Sequence, residues 1–294
     1  MKKTFFWAFL LCIGLSFAQD DSAIDETMTF ESIQKVYDSI AASFTYEKGT
    51  VVLDGDMATI TVPKGYKFLN AEQSKKVLTD LWGNPPSEPL GMLFPEDISP
   101  VSDNFTYAVE ITYSEEGYID DEDAKDIDYD ELLEEMKKDT ELANPERVKL
   151  GYGTMDMVGW ASAPYYDEVE KKLHWAKELK FENTDVNTLN YNIRVLGRKG
   201  YLNLNVIGDM TVLPMVKNNV DKIIASAAFT EGNKYSDFNP DVDKVAAYGI
   251  GGLIAGKVLA KAGFFALLLK FWKFIAIGAV ALFTALKGRI FGKK

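Results

Sequence analysis

The sequence predicts an α+β fold, a mainly antiparallel sheet with flanking helices, followed by a C-terminal helical membrane anchor. Three observations lead there. Several short runs alternate apolar and polar residues and are joined by tight turns. A few separate segments carry helical periodicity, at both ends of the strand order, as α+β domains do. Finally, the end of the chain is apolar and free of acid: residues 245–294 hold seven Lys, Arg289 and no Asp or Glu.

Charge divides the chain the same way. The 294 residues sum to −12, but residues 1–18 carry only Lys2 and Lys3, while 19–244 hold 22 basic against 44 acidic groups. So acidic a body repels phosphate backbones, and it offers no basic stripe with interleaved aromatics, so nucleic acid is not an expected partner. A basic, apolar end points instead to the lipid bilayer.

Met1-Lys2-Lys3, the apolar run 5–13 and Ser16-Phe17-Ala18 before Gln19 make residues 1–18 an expected secretory signal peptide. Cys12 follows Leu10-Leu11 rather than a small residue, so lipidation there is not expected. Cys12 is the single cysteine and His174 the single histidine, which excludes disulfide scaffolds, thiolate chemistry and clustered-histidine metal sites in the mature chain.

In the body, expected as one exported domain over 19–244, Phe30, Ile33, Val36, Tyr37 and Ile40 give a helix over 30–42. Runs 50–53 and 58–62 flank Asp54-Gly55-Asp56, a hairpin signal. Asn70 reads as an N-cap with Gln73 at N3, and Val77, Leu78, Leu81 and Trp82 form one stripe that must end at Asn84-Pro85-Pro86. Residues 105–113 alternate as a half-buried strand. In the acidic run 120–130 a calcium loop fails: counted from Asp121, Lys125, Asp126 and Leu132 stand where a ligand, a glycine and a bidentate glutamate are needed. Asp128 as a helix cap, with Leu132, Leu133 and Met136 facing the core, accounts for the run better. Strands follow at 155–163, 169–179, Thr188–Leu196 and 201–207, the last two joined through Gly197-Arg198-Lys199-Gly200. A helix over 213–228 tolerates Pro214 in its first turn, and 235–244 leads to the membrane.

Two stretches are long enough to span: 264–286, which holds Lys270 and Lys273, and 245–269, with Lys257 near its middle. One crossing leaves the basic tail in the cytoplasm, as the positive-inside rule prefers; a two-helix hairpin is the alternative. Gly252, Gly256 and Ala260 recur every four positions, a face suited to membrane helix packing and self-association. Gly251 to Val258 nearly spells a phosphate-binding loop, but Val258 stands where a Ser or Thr must hold magnesium, so no nucleotide cofactor is assigned.

The motifs Val62-Pro63-Lys64-Gly65-Tyr66-Lys67-Phe68-Leu69, Leu81-Trp82-Gly83-Asn84-Pro85-Pro86, Leu90-Gly91-Met92-Leu93, Val158-Gly159-Trp160-Ala161 and Leu196-Gly197-Arg198-Lys199-Gly200 are similar to those of a bacterial family of predicted membrane-anchored proteins, domain of unknown function 2167. The resemblance covers nearly the whole mature chain. It implies an envelope protein with a C-terminal anchor, and brings no activity, cofactor or catalytic residue; the signal peptide and basic tail make the expected location the cytoplasmic (inner) membrane, with the main domain on the periplasmic side.

His174 sits in Leu173-His174-Trp175, and no G-x-S-x-G elbow exists to supply its nucleophile, so no catalytic or metal residue is assigned. Aromatics beside Gly, Pro and Asn suit recognition of an envelope protein or glycan, which gives a candidate binding set of Trp82, Asn84, Trp160, Asp167, His174 and Arg194. Three function classes follow: a tethered, non-catalytic binding or scaffolding domain, an oligomeric transport or pore component, and a carboxylate-dependent envelope hydrolase.

Overall fold

The computed structural model describes residues 30–256, apart from positions 54, 85, 103, 152 and 183. The expected signal peptide, Ala260 and the candidate span 264–286 lie outside the described residues. The body is α+β. In chain order it holds α1 (Phe30–Ala42), β1 (Thr50–Val52), β2 (Ala58–Thr61), β3 (Tyr66–Asn70), α2 (Ala71–Lys75, continued by a π-helical turn Lys76–Leu81), β4 (Gly91–Pro95) and β5 (Tyr107–Ser114). Then come α3 (Tyr129–Lys149), β6 (Met155–Asp167), β7 (Lys172–Phe181), β8 (Thr188–Leu196), β9 (Tyr201–Asp209), α4 (Leu213–Ser226), β10 (Ala227–Phe229) and α5 (Ile250–Ala255).

Seven strands form one antiparallel sheet in the order β3-β4-β5-β9-β8-β7-β6, and β1-β2-β10 form a smaller one. The alternation along β8 decides how the large sheet is covered. Leu189, Tyr191, Ile193 and Val195 point to one face, where they meet Leu202, Leu204 and Val206 of β9 and Val216, Val220 and Ile223 of α4. Each such side chain taken fully from water contributes about 1.5–3 kcal/mol before ordering costs. The opposite face carries two apolar clusters, one towards each end. Leu69, Val77, Leu78, Met92 and Phe94 build a cluster around α2 at one end. Leu132, Met136, Leu173, Trp175, Leu253 and Ile254 build another beneath α3 and α5 at the other.

Several expectations change in this setting. Short β3 and β4 were not legible as strands. β5 is covered on both faces in its first half, where Ala108 is 1% exposed against the α2 cluster. Asn70 does cap α2, accepting from the Gln73 amide at 3.1 Å, but the Gln73 side chain pairs with the backbone of Thr45 instead of closing the capping box. The strand expected from 169 begins at Lys172, because 168–171 is a turn with Val169 87% exposed and Lys171 at φ 53°. The helix expected to reach 228 stops at Ser226, and Ala227–Phe229 pairs with β2.

The largest difference lies at the C-terminal side. The sequence puts the body's end at 244, yet residues 234–256 run along the body as a strap. Gly197 bridges Lys234. Arg198 Nε donates to Asp243 Oδ2 at 2.7 Å, with the Asp243 side chain 3% exposed. The Tyr118 amide donates to the Lys244 carbonyl and the Ala246 amide to the Tyr118 carbonyl, each at 2.8 Å. Ile250, Leu253 and Ile254 are buried in the core beneath α3. A continuous helix over 245–269 does not form: α5 is six residues long and ends at Gly256, whose φ of 85° and ψ of 174° are not helical. The small-residue face therefore does not continue through Gly256, and Gly252 packs on the Tyr248 side chain. Among the described residues no helix is long and apolar enough to cross a membrane.

Candidate functional site

Strand periodicity turns Asn190, Asn192 and Arg194 of β8 to the partly covered face of the large sheet. Register then fixes their neighbours. Asn192 stands opposite Asn205 of β9 and Trp175 of β7; Arg194 stands opposite Asn203 and Leu173; Asn190 stands opposite Lys177. Asn203 is in turn opposite Thr112 of β5, and Asn205 opposite Glu110. The middle of this face is thus a polar ladder between two apolar clusters.

Its hydrogen bonds run in one direction. Arg194 Nη1 donates to Asn203 Oδ1 in a short contact, and Nη2 reaches Asn192 Oδ1 at 3.4 Å. A guanidinium only donates, so the amide oxygens of Asn203 and Asn192 must face it and their NH2 groups must face away. Asn203 Nδ2 accordingly donates to Thr112 Oγ1 at 3.3 Å, Asn192 Nδ2 to Asn190 Oδ1 at 2.8 Å, and Asn190 Nδ2 to Asn205 Oδ1 at 2.8 Å.

The guanidinium carbon lies 5.0 Å from the Trp175 ring centroid and 5.5 Å from that of Tyr201, within cation–π range of both. Buried Arg194 Nε and Trp175 Nε1 have no hydrogen-bond partner among the described residues. Burial pushes Arg194 down to about 10, with Tyr201 and Tyr248 pulling the other way. Burial, and then the charge of Arg194, push the Lys177 amine down to about 8. Neither cation forms an ion pair with a described carboxylate. Glu110 stands across β9, and burial raises its carboxyl against a weaker hydrogen bond from Ser87.

Of the six residues named from sequence, only Arg194 belongs to this ladder. Trp82 packs on Phe94 and Phe105 and donates to the Pro100 carbonyl at 3.0 Å; Asn84 is exposed in the loop after α2. Trp160 donates to the Tyr129 carbonyl at the start of α3. Asp167 accepts the amides of Val169 and Glu170 in the β6–β7 turn. His174 points to the opposite sheet face, where Nδ1 is 3.0 Å from the Tyr191 hydroxyl, and burial lowers its pKa against the fields of Asp221 and Asp167. Sequence reasoning missed Lys177, Asn190, Asn192, Asn203 and Asn205. The alternation Asn190-x-Asn192-x-Arg194 and Asn203-x-Asn205 on adjacent strands was the available signal.

The acidic run is occupied by the chain's own donors. Asp121 accepts from Tyr166 at 2.6 Å, Lys171 at 2.7 Å and Tyr235 at 3.0 Å. Asp123 accepts the Ile250 and Gly251 amides, and Asp128 those of Asp130 and Glu131. Two surface depressions carry acids: one has Glu72 and Asp80 beside Lys75 and Lys76, the other Glu115 and Asp243, the latter held by Arg198.

No curated protein matches the chain. Among solved structures it is similar to cyanobacterial PsbP (CyanoP) of Synechocystis sp. PCC 6803, at 9% identity and TM-score 0.35, covering 64% of this chain and 94% of that one. It is also similar to the Ran-binding protein Mog1p of Saccharomyces cerevisiae, at 8% identity and TM-score 0.32, covering 67% and 100%. Likeness at that level carries no functional argument. The family described as "Protein of unknown function (DUF2167)" matches residues 45–284, which takes in every strand and helix described except α1. The chain belongs to the DUF2167 family.

Proposed function

We propose that this protein is a non-catalytic binding domain of the bacterial envelope, exported by residues 1–18 and tethered to the cytoplasmic membrane by residues 257–294. The observation that carries the reading is the strap. Residues 234–256 lie against the body through Arg198–Asp243, the Tyr118–Val245 bridge and the buried side chains of α5, so the domain continues to the edge of the basic, apolar stretch. That stretch keeps all eight basic groups of the C-terminal end and no acid, the composition the positive-inside rule expects at a cytoplasmic end. The reading moves the boundary between body and tether from 244 to 256.

The test is fractionation of cells producing the full chain or a variant ending after Gly256. The full chain should sediment with the inner membrane and be cleaved by protease in spheroplasts. The truncated variant should be recovered folded in the periplasmic fraction. A full chain that is soluble in the cytoplasm, or a truncated one that still sediments, overturns the tether.

A further inference from the structure

We infer that the ladder centred on Arg194 and Lys177 is a binding site for an oxyanion, a phosphate or carboxylate group. The inference rests on reading the body as a binding domain, and it names the ligand chemistry of that domain.

Charge is the first argument. Residues 19–244 carry twice as many acids as bases, so an enclosed cation in this body would ordinarily find a carboxylate. Lys177 of β7 and Arg194 of β8 instead lie on one face, flanking the Trp175–Asn192 pair on opposite sides. Two enclosed like charges disfavour each other and gain nothing from cation–π contact that a single arginine would not gain alone. The acid on the same face, Glu110, stands beyond β9 and forms no ion pair with either cation. An anion from outside would complete the pairing.

Orientation is the second argument. Because Arg194 takes the amide oxygens of Asn203 and Asn192, the ladder spends its acceptors internally. The unused buried capacity on the face is donor capacity: the Arg194 Nε–H and the Trp175 Nε1–H. Unpaired buried donors cost about 1–3 kcal/mol each, and an acceptor-only group is the chemical class that would relieve both and also offset the Lys177 charge.

The experiment follows the Trp175 indole N–H resonance, assigned with Trp175→Phe, in the full mature chain reconstituted into phosphatidylcholine nanodiscs. Inorganic phosphate and acetate are titrated at constant ionic strength. In a second arm the discs contain phosphatidylglycerol. A saturable shift with the free anions identifies a soluble ligand group; a shift only with phosphatidylglycerol identifies a lipid headgroup as its source. Lys177→Gln should weaken either response by about tenfold, and Lys177→Arg should retain it. Arg194→Gln should abolish it; since that variant removes a structural stack, Lys177→Gln carries the decision. No shift in either arm, or an unchanged response in Lys177→Gln, overturns the site. Failure of the chain to enter discs bears on the tether alone, and the titration is then run in buffer.

Discussion

Asp123 leaves no room for a side chain at Gly249: a Cβ there would lie 2.5 Å from Asp123 Oδ1. The same carboxylate accepts the Ile250 amide at 2.8 Å and the Gly251 amide at 3.1 Å, closing the first turn of α5 from a loop more than 120 residues earlier in the chain. Gly249→Ala should therefore displace the cap, and Asp123→Ala should remove it. Each is expected to cost about 1–2 kcal/mol. The loss should be local: hydrogen exchange at the Tyr118 and Ala246 amides should accelerate while amides of β8 keep their protection.

Truncation gives a sharper contrast. Ending the chain after Gly256 keeps Ile250, Leu253 and Ile254 in the core, whereas ending it after Lys244 removes all three. At about 1.5–3 kcal/mol per buried side chain, the shorter variant loses several kcal/mol and exposes Leu132 and Met136. Thermal unfolding should show a cooperative transition for the 256 variant and a strongly lowered or broadened one for the 244 variant.

The Asp121 carboxylate ties the pre-α3 loop, the β6–β7 hairpin and the strap together. Burial pushes its pKa up, but donors from Lys171, Tyr166 and Tyr235 outweigh that and hold it below the usual carboxylate value. A depressed folded pKa means the unfolded chain binds the proton first. The stabilisation is therefore present above the unfolded value of about 3.9 and is lost as pH falls through the lower folded value. Asp121→Asn should cost about 2 kcal/mol at neutral pH and flatten this part of the acid limb. Urea unfolding measured across that range checks both.

At Lys177 the shift has the same direction but is a penalty at neutral pH rather than a stabilisation. Its amine is pushed down to about 8 from 10.5, so the folded state resists a proton that the unfolded chain accepts. Wild-type stability should rise with pH between those two values, as the penalty is relieved. Lys177→Met should lack that rise and should be more stable at neutral pH by about 1 kcal/mol, while losing the anion response. A variant that is less stable and shows an unchanged pH profile would contradict the geometry.

How much was legible depended on whether one local rule could decide an element. The alternation in Thr188–Leu196 and the cap at Asp128 are local, and both stand as the sequence reads them. β3 and β4 are five residues each and owe their pairing to each other and to β5, which no window of sequence displays. Ala227–Phe229 continues the pattern of α4 and becomes a strand only because Ile60 waits beside it. The strap failed for a different reason: Ile250, Leu253 and Ile254 suit lipid and a protein core equally, and Asp123, which settles the matter, lies far away in sequence. At the ladder, Arg194 is in the set named from sequence, whereas the asparagines of β8 and β9 come together only through strand register, which no single run of sequence displays.

Gly256 is the joint of the molecule. Its backbone angles, φ 85° and ψ 174°, lie in a region essentially closed to other residues, and it follows directly on a helix seated in the core. A pull that reaches Gly256 meets a helix of the core directly. It would arrive at α5, pass through the two amides held by Asp123, and load the Tyr118–Val245 bridge and the Arg198–Asp243 pair.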